Sequence, residues 1–226
     1  MSKPTSIDLR QPITMTPELQ QALTPAQCLE ILIAGNERFV KDELHGHSHI
    51  ARVQTTAAGQ YPFAIILSCI DSRVPTEIIF DQGLGNIFNA RIAGNFVNKD
   101  ILGSMEFACA VAGSKLIVVM GHTSCGAVKG ACDNVALGNL TDMLKNLKPA
   151  VDSTPSASGE DRSAANEAFV NRVAQTNVEL TLKRILEESE VLRDLYEQGR
   201  IGMVGAMYDV ATGRVSFGEL MHKEAA

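Results

Sequence analysis

Along this chain the apolar positions follow two different periods. Residues 63–67 and 116–120 are short, almost unbroken apolar runs, and with 86–91 they read as strands. Elsewhere the spacing is helical. Leu29, Leu32, Ile33 and Phe39 share one face of a segment that begins at Thr24-Pro25, an N-cap followed by proline at the first helical position, and ends near Val40. A helix is expected over 100–112, capped by Asp100 and closed by Gly113, and another after His122. A long helix over 164–188 places Val170, Val173, Val178, Leu182, Ile185 and Leu186 on or near one side. Ser189 is placed to cap a shorter helix over 190–198. The tail IGMVGAMYDVATGRVSFGEL reads as strand, turn at Ala211-Thr212-Gly213, and strand.

Strands that are apolar on both faces and alternate with helices define an α/β fold. The expectation is a mostly parallel central β-sheet flanked by helices, with an N-terminal helical arm. Residues 1–23, with three prolines and little periodicity, are expected to lie as an arm on a partner subunit. The histidine-rich stretch DELHGHSH, holding His45, His47 and His49, reads as solvated loop, and 149–163 as surface loop.

With 226 residues, 45% of them hydrophobic, the chain fits one domain spanning 1–226. A formal charge of −6 argues against nucleic acid or an anionic membrane as partner. No apolar stretch approaches the roughly 18 residues of a membrane span, and the N-terminus lacks the apolar core of a secretory signal. A cytoplasmic location is therefore expected. Five cysteines at irregular spacing then read as core residues, ligands or nucleophiles, and not as a disulfide framework.

Two apolar runs end in chemistry. The first closes as CIDSR, which puts Cys69, Asp71 and Arg73 at alternate positions. The third strand closes as GHTSCG, which offers His122 and Cys125. Neighbouring parallel strands bring their C-terminal ends to one sheet edge, where open α/β folds place their sites. Gly121 and Gly126 are read as the tight-turn residues that let His122 and Cys125 face one point. Singly, each cysteine is an ordinary buried thiol and His122 a satisfied loop histidine. Together, two sulfurs and an imidazole form a three-ligand zinc set with one position left for water. Two thiolates neutralise the metal's charge, so its water is less acidic than at a neutral-ligand site, where a pKa of about 7 is reached. Asp71 is within reach to orient that water, and Arg73 to keep Asp71 off the metal through a charge-assisted pair.

CIDSR followed by GHTSCGAVKGA resembles the β class of carbonic anhydrases. RIAGN at 91–95 and VLRDLYEQGRIGMVGAMYDVATG extend the likeness over most of the chain. The resemblance implies reversible CO2 hydration by a zinc-held hydroxide, one Zn2+ per subunit on Cys69, His122 and Cys125, and a dimer or tetramer. It implies an Asp71–Arg73 dyad. It also implies an apolar substrate pocket with Gln60 and Phe88, partly contributed by the neighbouring subunit, and with Phe107 where plant-type members have Tyr. Gly126, next to the ligand Cys125, is placed with these substrate-binding residues. Bacterial members with a regulatory bicarbonate site carry Trp where this chain has Ile66, so the resemblance implies an open site with the dyad formed. Two other readings fit the same residues. One is the same site acting on another linear molecule such as carbonyl sulfide, and the other is a zinc-stabilised interaction protein without catalysis.

Cys28, Cys109 and Cys132 are assigned to packing. Lys129 is read as a charge near an anionic product or a solvated surface group. Arg91 is read as a bicarbonate anchor or a partner for a nearby carbonyl.

Overall fold

The computed structural model describes residues 13–46 and 48–224. Its centre is a five-stranded sheet in the order β2-β1-β3-β4-β5. The strands are β1 (Ala64–Ser68), β2 (Ile87–Arg91), β3 (Leu116–His122), β4 (Gly202–Tyr208) and β5 (Val215–Phe217). The first four pair in parallel, and β5 closes the tail as an antiparallel hairpin whose turn is relaxed by Gly213 at φ 74°. Every residue of β1 and β3 is buried, which explains their unbroken apolar runs.

Alternation along these strands builds two separate cores. Ala64, Ile66, Leu116, Val118, Met120 and Val204 face one side, under α1 (Pro17–Ala22), α2 (Pro25–Val40) and α4 (Thr76–Ile79). Ile65, Leu67, Ile117, Val119 and Met203 face the other, under α5 (Lys99–Glu106), α9 (Glu167–Glu188) and α10 (Glu190–Glu197). A third cluster caps the C-terminal ends of the strands. There α6 (Gly126–Cys132), α8 (Lys148–Ser153) and α9 pack Val128, Val151, Phe169, Val170 and Val173 around Cys69 and Cys125.

Thr24 caps α2 with a full capping box closed by Gln27, and Ser189 caps α10, both as the sequence indicates. Other boundaries differ. The α5 cap is Asn98, whose Oδ1 accepts from Ile101 N at 3.0 Å, while Asp100 sits in the first turn and favours the helix dipole. That helix then widens into a π turn over Phe107–Val111, with Ala112 N donating to Phe107 O. The long helix begins at Glu167, capped by Asn166. Part of the expected 149–163 loop is α8, because Pro149 occupies a first helical turn and Ala150 and Val151 bury behind it. Helices α3 (His49–Thr56) and α7 (Gly138–Leu144) were not expected.

Over the described part of the arm, residues 13–23 pack on their own chain: Met15 and Leu23 are buried in the first core. Gln20 donates to Pro62 O at 2.7 Å and Ala112 O at 2.8 Å, and Arg52 donates to Ile13 O. Residues 1–12 and His47 lie outside the described residues.

Gly35 lets α2 approach the end of α4, where an added Cβ would run into the Phe80 carbonyl. Gly35→Ala is therefore expected to cost about 1–3 kcal/mol by overpacking, read as a lower urea midpoint at unchanged slope.

Candidate metal centre and active site

Parallel pairing of β1 with β3 sets Ser68 opposite Met120, so the two chain segments leave the sheet side by side. Cys69 follows immediately after β1, His122 is the last residue of β3, and Cys125 caps α6. All three are buried, and their donor atoms lie within 4.8 Å of one another. The two sulfurs are 3.9 Å apart. Sulfurs bound about 2.3 Å from one tetrahedral metal would stand about 3.8 Å apart, so the observed spacing already suits a shared ion.

The imidazole is presented for the same purpose. Nδ1 of His122 lies 2.9 Å from Thr123 O, and a carbonyl only accepts, so the proton sits on Nδ1. Nε2 is left with a lone pair, is buried, and has no hydrogen-bond partner. An orphaned acceptor facing two sulfurs is the donor set a soft-to-borderline divalent metal takes. The hydrogen bond the two sulfurs share holds the Cys69 thiol well below the ordinary range and Cys125 above it, and burial pushes Cys125 further up.

Asp71 and Arg73 form the expected pair, though not through strand alternation, since β1 has ended and residues 72–73 form a turn. Arg73 donates from its own backbone N and from Nε to Asp71 Oδ1, both at 2.9 Å, and from a terminal nitrogen to Oδ2 at 2.7 Å. Hydrogen bonding from Arg73 pulls the Asp71 carboxyl far below its usual range. Asp71 Oδ2 is 3.9 Å from His122 Nε2, so the carboxylate borders the Cys69–His122–Cys125 cluster while Arg73 occupies both of its oxygens. Arg91 braces the same loop, donating to Cys69 O at 2.9 Å and Asp71 O at 2.7 Å. Of its two sequence readings, the structure displays the carbonyl partner.

Phe88 and Phe107 meet edge to face with centroids 6.2 Å apart. With Ile65, Arg91 and Ile101 they line an open cleft of about 690 Å3 on the β2 side of the sheet. Gln60 does not join them within this chain; it is exposed in the loop before β1. Gly126 opens α6, and a Cβ there would meet nothing. The tight turn between His122 and Cys125 is made instead by Ser124, at φ 54°. It is held by Asn171 Oδ1, which accepts from Ser124 N at 2.9 Å, and by Glu167, which accepts from its hydroxyl. Gly121 serves packing, since a Cβ would lie 2.8 Å from Met207 Sδ.

Residues 64–215 match the family model for carbonic anhydrase. Carbonic anhydrase 2 of Mycobacterium tuberculosis is 36% identical over 196 residues, covering 84% of this chain and 91% of that protein. The solved β-carbonic anhydrase CafA of Aspergillus fumigatus is 29% identical, has a TM-score of 0.67, and is matched over 84% of this chain and 90% of its own. The chain belongs to the β-class carbonic anhydrases. As a carbonic anhydrase it is a lyase, and the family supports CO2 hydration. Among related β-carbonic anhydrases of known structure are two tetrameric enzymes from Sordaria macrospora, with a TM-score of 0.65 and 25% identity over 85% of this chain and 98% of that one.

In this β-carbonic anhydrase, Cys28 and Cys109 pack in the two sheet-face cores and Cys132 in the third cluster. Burial raises the Cys28 and Cys109 thiols to about 12. Lys129 stands 3.9 Å from Glu167. His49 opens α3, and His45 N donates to Asp81. Sequence reasoning missed the Thr123 carbonyl, Ser124, Asn171 and Gly94, whose N donates to Cys69 Sγ at 3.4 Å. The turn-forming pair Gly94-Asn95 was the one visible signal among them.

Proposed function

We propose that this chain is a zinc-dependent enzyme for the reversible hydration of CO2 to bicarbonate, with one Zn2+ held by Cys69 Sγ, His122 Nε2 and Cys125 Sγ. The observation that carries the reading is the buried, unpartnered Nε2 facing two sulfurs, with a carboxylate beside it that Arg73 holds at two points. When bound, zinc supplies the Lewis acid that makes a water nucleophilic near neutral pH.

The chain's own groups do the remaining work. Thr123 O keeps the proton on Nδ1 and so orients the imidazole. Asp71, ionised throughout the working range, accepts a hydrogen bond from the attacking water and aims it. Arg73 restrains Asp71 from becoming a fourth ligand. Phe88 and Phe107 supply an apolar wall that suits CO2 better than water, and Phe107 offers no hydroxyl there. Gln60, exposed in one chain, is assigned to a second copy's pocket as the amide donor to a CO2 oxygen, with Gly126 at the edge of the same site. This assignment favours a homodimer or homotetramer. All five cysteines are free, which supports a reducing, cytoplasmic setting. No helix among the described residues is long and apolar enough to cross a membrane. Residues 1–226 act in this reading as one domain.

The test is metal content alongside stopped-flow CO2 hydration, with sulfide release from carbonyl sulfide measured in parallel. Zinc near one per chain with fast hydration is expected, and metal-loaded protein inert toward CO2 would refute the reading. Asp71→Asn is expected to lower kcat by about 100-fold, as for loss of one preorganised polar group, with zinc retained. Unchanged turnover would remove Asp71 from the mechanism.

A further inference from the structure

Cys69 and the His122–Cys125 turn come from segments far apart in the chain, and a single helix grips both. On α9, Asn171 holds Ser124, as described above. Six residues later Asn177, only 3% exposed, donates from Nδ2 to Gly94 O at 2.8 Å. Gly94 is the residue whose own N–H points at Cys69 Sγ, 3.4 Å away.

Gly94 has a conformation that no other residue accepts comfortably. It lies at φ 83°, and a Cβ would stand 2.7 Å from Leu147 Cδ1. Glycine also has the widest freedom of any residue, so its N–H keeps a fixed direction only if something pins the peptide. Both polar groups of the 94–95 peptide are pinned, Asn95 N donating to Ile92 O and the Gly94 carbonyl accepting from Asn177, so the Gly94 Cα is held from its C-terminal side. Buried amides are kept where they satisfy buried carbonyls, and this one satisfies a carbonyl next to a metal ligand.

We propose that Asn177 is a positioning residue that tunes the metal centre: by anchoring the Gly94 carbonyl it restrains the Gly94 Cα from its C-terminal side, so that the N–H of the preceding peptide stays aimed at the Cys69 sulfur. The inference rests on the zinc reading above. Two thiolates push negative charge onto a metal and weaken it as a Lewis acid. A hydrogen bond to one sulfur withdraws part of that charge, so the bond restores acidity that the ligand set would otherwise forfeit. Hydrogen bonds to ligand atoms tune metal sites in this way generally.

The test uses the full-length protein loaded with Co2+ or Zn2+, comparing wild type with Asn177→Leu, which deletes the amide at similar volume, and Asn177→Gln, which keeps it. In Asn177→Leu the sulfur-to-cobalt charge-transfer band should move to longer wavelength, because the thiolate becomes more electron-rich. Zinc transfer to a chelator should accelerate by ~10-fold or more, the scale of outer-shell losses, and the pH midpoint of kcat should move upward. Asn177→Gln should recover part of each change. Asn177→Ser, shorter and still polar, supplies the same three readouts if Asn177→Leu fails to fold. A lower melting temperature with an unmoved band, release rate and midpoint would show a purely structural Asn177 and overturn the proposal. Wild-type protein without any sulfur-to-cobalt band would instead sink the metal reading itself.

Discussion

Cys69→Ser is expected to leave the protein folded but without metal, and CO2 hydration should fall by more than ~1,000-fold as the pKa of water returns toward 15.7. A hydroxyl stays protonated where a thiol ionises, and oxygen is a harder donor than the site is built for. One substitution suffices because it leaves two of the three donors, too few for a site built on Cys69, His122 and Cys125. Zinc measured by elemental analysis should drop from about one per chain to near zero, a larger loss than the ~10–100-fold affinity changes typical of outer-shell residues. Circular dichroism should change little, because Ser is nearly the size of Cys, while the urea midpoint should fall by the stabilisation that bound metal gives the wild type. Full metal occupancy in this variant would remove Cys69 from the ligand set.

Arg73→Leu should give the opposite signature, with metal kept and activity lost. Arg73 occupies both oxygens of Asp71 at 2.7–2.9 Å, and Oδ2 is already 3.9 Å from the imidazole nitrogen that faces the metal position. Freed of its partner, the carboxylate has a small movement to make to become a fourth ligand and exclude water. Turnover near neutral pH should fall by roughly 100-fold, comparable to loss of one electrostatic contributor in other enzymes, while zinc should leave to a chelator more slowly than from wild type. Hydration at wild-type rate would show that Asp71 needs no restraint.

The sign of the pH dependence follows from the direction of the Asp71 shift. Its folded pKa is depressed, first by hydrogen bonding from Arg73, so the pair contributes stability above the unfolded carboxylate value near 3.9. That contribution is lost as pH falls through the lower folded value. The dyad therefore stays formed throughout the neutral range. Any melting-temperature gap between wild type and Asp71→Asn should persist above about pH 4 and close below it.

The strands were legible because β1 and β3 are buried on both faces, and such strands demand unbroken apolar residues whatever surrounds them. The candidate ligands were legible for a related reason: two thiols, an imidazole and an ion pair grouped at the ends of apolar runs are more than packing of a core requires. Short helices were less visible. The α3, α7 and α8 segments have mixed composition, and isolated pieces of that length are marginal on propensity alone, so packing decides them. The contacts of residues 13–23 with their own chain carry no signal in the sequence, because partners such as Pro62 O and Ala112 O are backbone groups.

By itself, the sequence pointed to the parallel sheet, to Cys69, His122 and Cys125 as candidate donor residues and to the pairing of Asp71 with Arg73, since each follows from side-chain chemistry and local period. The tertiary structure alone decided which nitrogen of His122 is free, that Ser124 rather than a glycine makes the turn, and that α9 reaches Gly94 through Asn177. Those outcomes depend on backbone carbonyls and N–H groups, which every residue carries alike. Only the folded path of the chain shows where such groups point.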